Sequence, residues 1–383
     1  MCKYWIYIFG ISCLLYGCSK AYTEPKGKTQ NKVSETGLVT ETHQAIDSIK
    51  WQQLDEHFTK EFKTRGFNGN VLVAQNGKIL YQKAFGLADF KTGDSLKLTT
   101  AFQIASVSKQ FTATAIMMLK ERGLLAYNDT VQKFLPDFPY PGITIRMLLT
   151  HRSGLPNYIY FTDNLLKNKN TTLTNKDLLD LLILHKPAVY YRPDRVFDYS
   201  NTGYVILASI VEKISGVAFE DFIAANIFAP LGMTHSFVYN KSRQIEKTNC
   251  AKGFVSKKRE YDDNYLNGIT GDKGIYSTVE DLFKWDQNLY SGKILKLSTL
   301  EEAFEPMGRR KTARSNYGFG WRMYQLEDGT KVLYHGGWWQ AFHSLLIHIP
   351  KDQTTIVILK NREKGSMGDK QKILSILYPK LAS

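Results

Sequence analysis

Ser106 and Lys109 stand three residues apart in the run Ile104-Ala105-Ser106-Val107-Ser108-Lys109-Gln110-Phe111. A serine hydroxyl is a weak nucleophile until a base takes its proton. Residues three apart on a helix lie about one turn apart on one face, so a helix here would hold an amine beside the hydroxyl. Burial disfavours the charged form of an amine, which suits Lys109 to the part of base. The opening of a helix also presents free backbone N–H groups that favour developing negative charge. Together these residues could carry acyl transfer through a serine ester. A Ser-x-x-Lys match is short enough to recur by chance, and the plainer alternative is a helix start with an exposed lysine. What the rest of the chain places around the pair decides between them.

The elements that must position the pair are legible as periodic stretches. The spacing of Phe111, Ala115, Met118 and Leu119 predicts a helix over 108–123, with Gly123 ending it. Residues 70–75 and 78–85 are apolar runs separated by Asn76-Gly77, a strong hairpin signal. Upstream, Ile46, Ile49, Leu54, Phe58 and Phe62 suggest an amphipathic helix starting near Ala45. The middle, about 124–290, is helix-dominated, with helical spacing over 145–150, 175–185, 203–215 and 278–290. Strands return over 320–324, 331–335, 342–349 and 354–359, before a last helix over 370–377. The simplest packing is a mixed α/β (α+β) fold. The early hairpin and late strands form one antiparallel sheet, the terminal helices cover it, and the middle is an inserted all-helical lobe. A cleft between two such lobes is a usual place for a site.

Ile104 to Thr112 resembles the nucleophile segment of the serine β-lactamase and penicillin-binding protein superfamily, in the branch of class C β-lactamases, D-alanyl-D-alanine peptidases and esterases. Asp198-Tyr199-Ser200-Asn201-Thr202-Gly203-Tyr204 resembles the Tyr-x-Asn element of that family. Tyr265-Leu266-Asn267 fits the bare pattern but lacks the flanks and comes too late. The third element, Lys-Thr-Gly, has a literal copy at Lys91-Thr92-Gly93, which precedes Ser106 and looks like a hairpin turn. The correctly placed match is His335-Gly336-Gly337. Three further stretches resemble family segments: 148–156, where His151 reads as structural; 271–278, where Lys273 stands in for a usual glycine; and Phe319-Gly320-Trp321.

The resemblance implies Ser106 as nucleophile, Lys109 and Tyr199 as proton carriers, and Asn201 as a holder of a substrate amide or of Lys109. It implies backbone N–H groups of Ser106 and Trp338 as the oxyanion hole, and His335, Gly336 and Gly337 as the strand lining the site. Histidine replaces lysine in some peptidases and esterases of this branch. Gly336 lacks the hydroxyl that contacts the substrate carboxylate in β-lactam and D-Ala-D-Ala binders, which lowers the expectation of efficient β-lactamase activity. Trp338-Trp339 adds bulk that narrows the pocket, stacks on a substrate or packs in the core.

Among the 383 residues, 43% are hydrophobic and 22% charged, enough to bury a sizeable core. The net charge of +14 forms no long run, and its densest clusters, Lys257-Lys258-Arg259 and Arg309-Arg310-Lys311, lack interleaved aromatics. A solvated basic surface fits better than a nucleic-acid groove. Lys3 precedes an apolar stretch over 4–16 that is too short to span a bilayer and suits a signal peptide. It ends in Leu15-Tyr16-Gly17-Cys18, which resembles a bacterial lipobox, with cleavage before Cys18 and lipid on its sulfur. Ser19, by the best-known Gram-negative sorting rule, permits passage to the outer membrane. The expected organisation is a signal peptide over 1–17, a lipidated tether over 18–44 and a hydrolase domain over 45–383. Cys2 and Cys13 fall in the leader, leaving Cys18 and Cys250 and no internal disulfide. There is no Gly-x-Ser-x-Gly elbow, zinc-spaced Cys/His cluster, dinucleotide fingerprint or Walker loop, so no cofactor or metal is implied.

The reading is a serine hydrolase acting through a covalent acyl-enzyme on a peptide, amide or ester in the cell envelope, of D-Ala-peptidase or esterase type, with β-lactams as a further substrate class. The alternatives are a non-catalytic tethered binder of cell-wall fragments and a structural lipoprotein. Specificity is expected in loops such as 158–174.

Overall fold

The structure, a computed structural model, describes residues 35–167, 169–243, 249–257, 259–307 and 315–379. The leader, Cys18, Lys258 and Arg309-Arg310-Lys311 lie outside the described residues. The unit containing Ile46–Ser383 carries the site and is the one described here.

Helix α1 (Glu35–Arg65) begins ahead of the start near Ala45. Only Leu54 and Phe58 of its five flagged apolar residues are buried; Ile46, Ile49 and Phe62 stay exposed. The hairpin β1 (Gly69–Gln75) and β2 (Lys78–Phe85) forms as the sequence predicts. Asn76 and Gly77 both take positive φ, 53° and 70°, the backbone that a tight two-residue hairpin turn needs. After the short strand β3 (Phe102–Gln103) comes α2 (Ser108–Glu121).

The lobe contains α3 (Ile145–Leu149), α4 (Tyr158–Leu165), α5 (Asn175–His185), α6 (Asn201–Ser215), α7 (Phe219–Ile223) and α8 (Ala229–Leu231). Residues 158–165, read from sequence as loop, are thus helical, with the Asn157 side chain accepting from Ile159 N. Short strands β4 (Phe237–Val238), β5 (Phe254–Ser256), β6 (Arg259–Glu260) and β7 (Ile275–Ser277) precede α9 (Val279–Asn288) and α10 (Leu297–Ala303). The chain ends with β8 (Ser315–Tyr317), β9 (Arg322–Gln325), β10 (Lys331–Trp339), β11 (Phe342–Ile349), β12 (Thr354–Lys360) and α11 (Lys370–Leu377).

One seven-stranded antiparallel sheet has the order β2-β1-β12-β11-β10-β9-β8. Alternation sends its side chains to two cores. Val71, Val73, Ile347, Ile356 and Ile358 pack against Leu54 and Phe58 of α1 and Ile373, Leu374 and Leu377 of α11. Leu72, Ala74, Leu346, Val357 and Leu359 join Phe111, Ile116 and Trp285 in the larger core with the helices. A second sheet, β3-β7-β4, was not legible in the sequence because its strands have only two or three residues. It matters because it stitches the segment before Ser106 to the Gly271–Gly274 turn. Ile104 N donates to Ile275 O at 2.9 Å.

Candidate active site

Ser106 lies in a single 3₁₀ turn, Ala105–Val107, that runs into α2. Ala105 takes φ +46°, a left-handed conformation that L-residues seldom adopt. The bonds around it hold the turn in that shape. Ser344 Oγ on β11 donates to Ile104 O at 2.6 Å, and Ser108 Oγ accepts from Ile275 N at 3.3 Å. Lys109, one turn on, is fully buried.

Lys109 Nζ donates to Ser106 Oγ at 3.1 Å, to Asn201 Oδ1 at 2.8 Å and to Asp272 O at 2.8 Å. The last two partners are oxygens that can only accept. In a neutral amine they occupy both N–H groups, and the lone pair is left facing Ser106 Oγ. That is the orientation a general base for this serine requires. Asn201 is held for the task as the first residue of α6. Thr202, beside it, donates to Pro156 O at 2.6 Å and accepts from Tyr158 N at 2.8 Å.

Tyr199 lies on the same cavity wall, but its ring rather than its hydroxyl meets Lys109, with Nζ 5.1 Å from the ring centroid. Its Oη is buried and, among the described residues, has no hydrogen-bond partner. The Arg322 guanidinium also faces this ring, at 5.2 Å. Behind Tyr199, the fully buried His151 ring lies 4.1 Å from it, centroid to centroid, and its Nδ1 accepts from Ser200 N. Burial, reinforced by Lys109, holds His151 well below the usual histidine range.

Strand β10 forms the opposite wall. His335 is buried, its Nδ1–H donating to Gly336 O at 2.7 Å. Its Nε2 then accepts from Tyr317 Oη at 3.0 Å. Burial and the nearby Lys109 push His335 down to about 3, so it presents a neutral ring at neutral pH. At Gly337 an added Cβ would lie 2.4 Å from Ile104 O and 2.9 Å from Ser106 N. Only glycine lets β10 come this close to the nucleophile turn. Gly336 has room, with Ser344 O the nearest atom at 3.7 Å. Trp338 is 55% exposed at the cavity mouth, whereas Trp339 is buried and donates from Nε1 to Asn267 Oδ1 at 2.9 Å.

The cavity so formed has a volume of about 550 Å³. Ser106, Tyr199, Asn201, His335, Gly336 and Trp338 line it. Lys109 lies beneath Ser106 and Gly337 behind it. The literal Lys91-Thr92-Gly93 copy lies away from the cavity, in a turn where Lys91 pairs with Glu260 at 2.7 Å. The contributors that sequence reasoning missed include Asp198, Asp272, Lys273 in its buried role, and Arg322. Asp272 acts on Lys109 through a backbone oxygen, which no residue pattern announces. Arg322 sits in an ordinary amphipathic strand, though its place just after Phe319-Gly320-Trp321 is a usable signal. Among the described residues Arg322 pairs with no carboxylate. Among the described residues, too, no cluster of His, Cys, Asp or Glu could hold a metal ion.

The β-lactamase family model matches residues 54–378. Penicillin-binding protein 4* of Bacillus subtilis (strain 168) is 38% identical over 333 residues, 82% of this chain and 73% of its own. A D-aminopeptidase of Cereibacter sphaeroides is 27% identical over 318 residues, 81% of this chain and 60% of its own. Among solved structures, a penicillin binding protein from Bacillus halodurans superposes with a TM-score of 0.74 at 25% identity, covering 84% of this chain and 98% of its own. The match runs from α1 to α11 with the serine–lysine pair inside it, and the chain belongs to the β-lactamase family of serine hydrolases.

Proposed function

We propose that this hydrolase cleaves a peptide, amide or ester of D-amino-acid type in the cell envelope, through an ester on Ser106, with Cys18 carrying a lipid anchor. The observation that carries the reading is the Lys109 amine site, whose two obligate acceptors aim the amine at Ser106 Oγ. Ser106 Oγ attacks the substrate carbonyl as Lys109 takes its proton. The oxyanion forms between the Ser106 and Trp338 N–H groups. Collapse breaks the bond to the leaving group, which receives the proton from Lys109. A water then adds to the ester by the reverse exchange and releases Ser106.

The substrate class is supported by relatives named penicillin-binding protein and D-aminopeptidase. Arg322, a cation in the cavity wall with no carboxylate partner among the described residues, suits an anionic end of the substrate. The missing hydroxyl at Gly336 argues against a dedicated β-lactamase. The intact Ser106–Lys109 contact disfavours a purely binding role.

A fluorophosphonate probe should label the wild-type chain and leave Ser106→Ala unlabelled. Equal labelling of both would sink the reading. In the same cells the chain should fractionate with membranes, and Cys18→Ser should release it; retention of that variant would remove the lipid anchor from the proposal.

A further inference from the structure

Lys273 is the residue that the resemblance could not place, and its surroundings give it work. Its side chain is 4% exposed in the floor of the active-site cavity. All three N–H bonds are used, to Tyr158 Oη at 2.8 Å, Leu266 O at 3.0 Å and Ile269 O at 3.1 Å. The Tyr158 and Trp339 rings face the ammonium, with centroids 5.4 and 5.0 Å away. No donor is left over for a substrate.

Its neighbour Asp272 is equally buried and has two chemically different faces. The backbone oxygen accepts from Lys109. The carboxylate accepts from Tyr158 Oη at 2.9 Å through Oδ2 and lies 3.6 Å from Lys273 Nζ through Oδ1. Gly271 and Gly274 on either side take φ of 99° and 101°. This tight turn points the two faces in different directions, one at the base and one into the lobe. A buried carboxylate without a counter-charge is costly and seeks one. Lys109 is a second cation that already touches the same residue.

We propose that Lys273 is a positioning residue for Lys109: with Tyr158 it draws the Asp272 carboxylate into the lobe, so that Asp272 meets the base only through its neutral backbone oxygen. An Asp272 carboxylate turned onto Lys109 would hold the amine as an ammonium and pull it away from Ser106 Oγ. Lys273 therefore keeps the base free to accept the serine proton. This rests on the assignment of Ser106 as nucleophile and Lys109 as base. Burial lowers the proton affinity of Lys273 itself, and the Asp272 carboxylate opposes that effect.

The test is a charge rescue. The rate of Ser106 labelling by a fluorophosphonate and the Tm are measured for wild type, Lys273→Met, Asp272→Asn and the double variant. Lys273→Met should slow labelling at least tenfold, and in the Asp272→Asn background the same change should cost less than threefold. If Lys273→Met folds only when combined with Asp272→Asn, the inference also holds. A purely structural lysine, bonded to Leu266 and Ile269, would lose as much in both backgrounds. That result, wild-type labelling by Lys273→Met, or a double variant that does not fold overturns the inference. Labelling that survives Ser106→Ala instead overturns the assignment beneath it.

Discussion

Adjacent glycines on β10 meet opposite requirements. Gly337 fills the contact with the nucleophile turn, whereas Gly336 borders open space. Gly337→Ala should cut Ser106 labelling by about a hundredfold, because a Cβ there meets Ile104 O and Ser106 N and pushes the nucleophile turn away from the strand proposed to complete its oxyanion hole. Gly336→Ala should label within about threefold of wild type, since its Cβ meets nothing closer than ordinary van der Waals contact. Labelling rates of the two variants, side by side, check both. Equal effects would mean that approach of β10 is not what the glycine pair provides. At this scale the sequence was informative where chemistry sits in contiguous motifs. Ser106, Lys109, Tyr199, Asn201 and His335 to Trp338 all fall at one cavity. It was silent on Asp272, whose contribution is a backbone atom, and it could not foresee that Tyr199 offers its ring to Lys109.

The elements act on the site through a few buried bonds. The nucleophile turn contains a left-handed alanine, and Ser344 on β11 supplies one of the bonds that hold it. Ser344→Ala would remove that donor and leave Ile104 O with Val107 N alone, a loss of about 0.5–1.5 kcal/mol for one hydrogen bond. Urea unfolding should show a decrease of that order, together with slower Ser106 labelling, because the lost bond fixes the turn itself. A stability loss with unchanged labelling would assign the bond to the sheet alone. Long periodic elements such as α2, β11, β12 and α11 were legible from hydrophobic spacing. The three-stranded sheet and α4 were not. Strands of two or three residues carry too little pattern, and α4 begins at an Asn cap in a stretch that reads as loop.

Across the whole molecule, buried histidines set the response to acid. His335 is pushed down to about 3 and His343 to about 4, both chiefly by burial, and His151 lies well below its usual range for the same reason. The folded protein keeps these rings neutral, while the unfolded chain takes up protons below about pH 6.5. The unfolded state then binds more protons, so stability falls as pH drops from about 6.5 toward 4. Each such ring contributes a slope of up to about 1.4 kcal/mol per pH unit. Unfolding free energies measured between pH 7 and pH 4 should fall, and His335→Gln should flatten the curve by up to one such increment. An unchanged slope in that variant would mean that His335 is protonated in the folded state.

Strand β1 lies between β2 and β12, so the sheet joins the two ends of the folded unit, with Gly69 registered against Lys360. The turn bearing Ser106 is likewise closed by β10 and β11, which come more than two hundred residues later. Contacts of such long sequence separation form slowly. During synthesis the ribosome releases the serine and its lysine long before the strand that completes their cavity. A chain stopped short of β10 carries the nucleophile but neither of the strands that close against its turn, and so the cavity becomes complete only once the last strands have emerged.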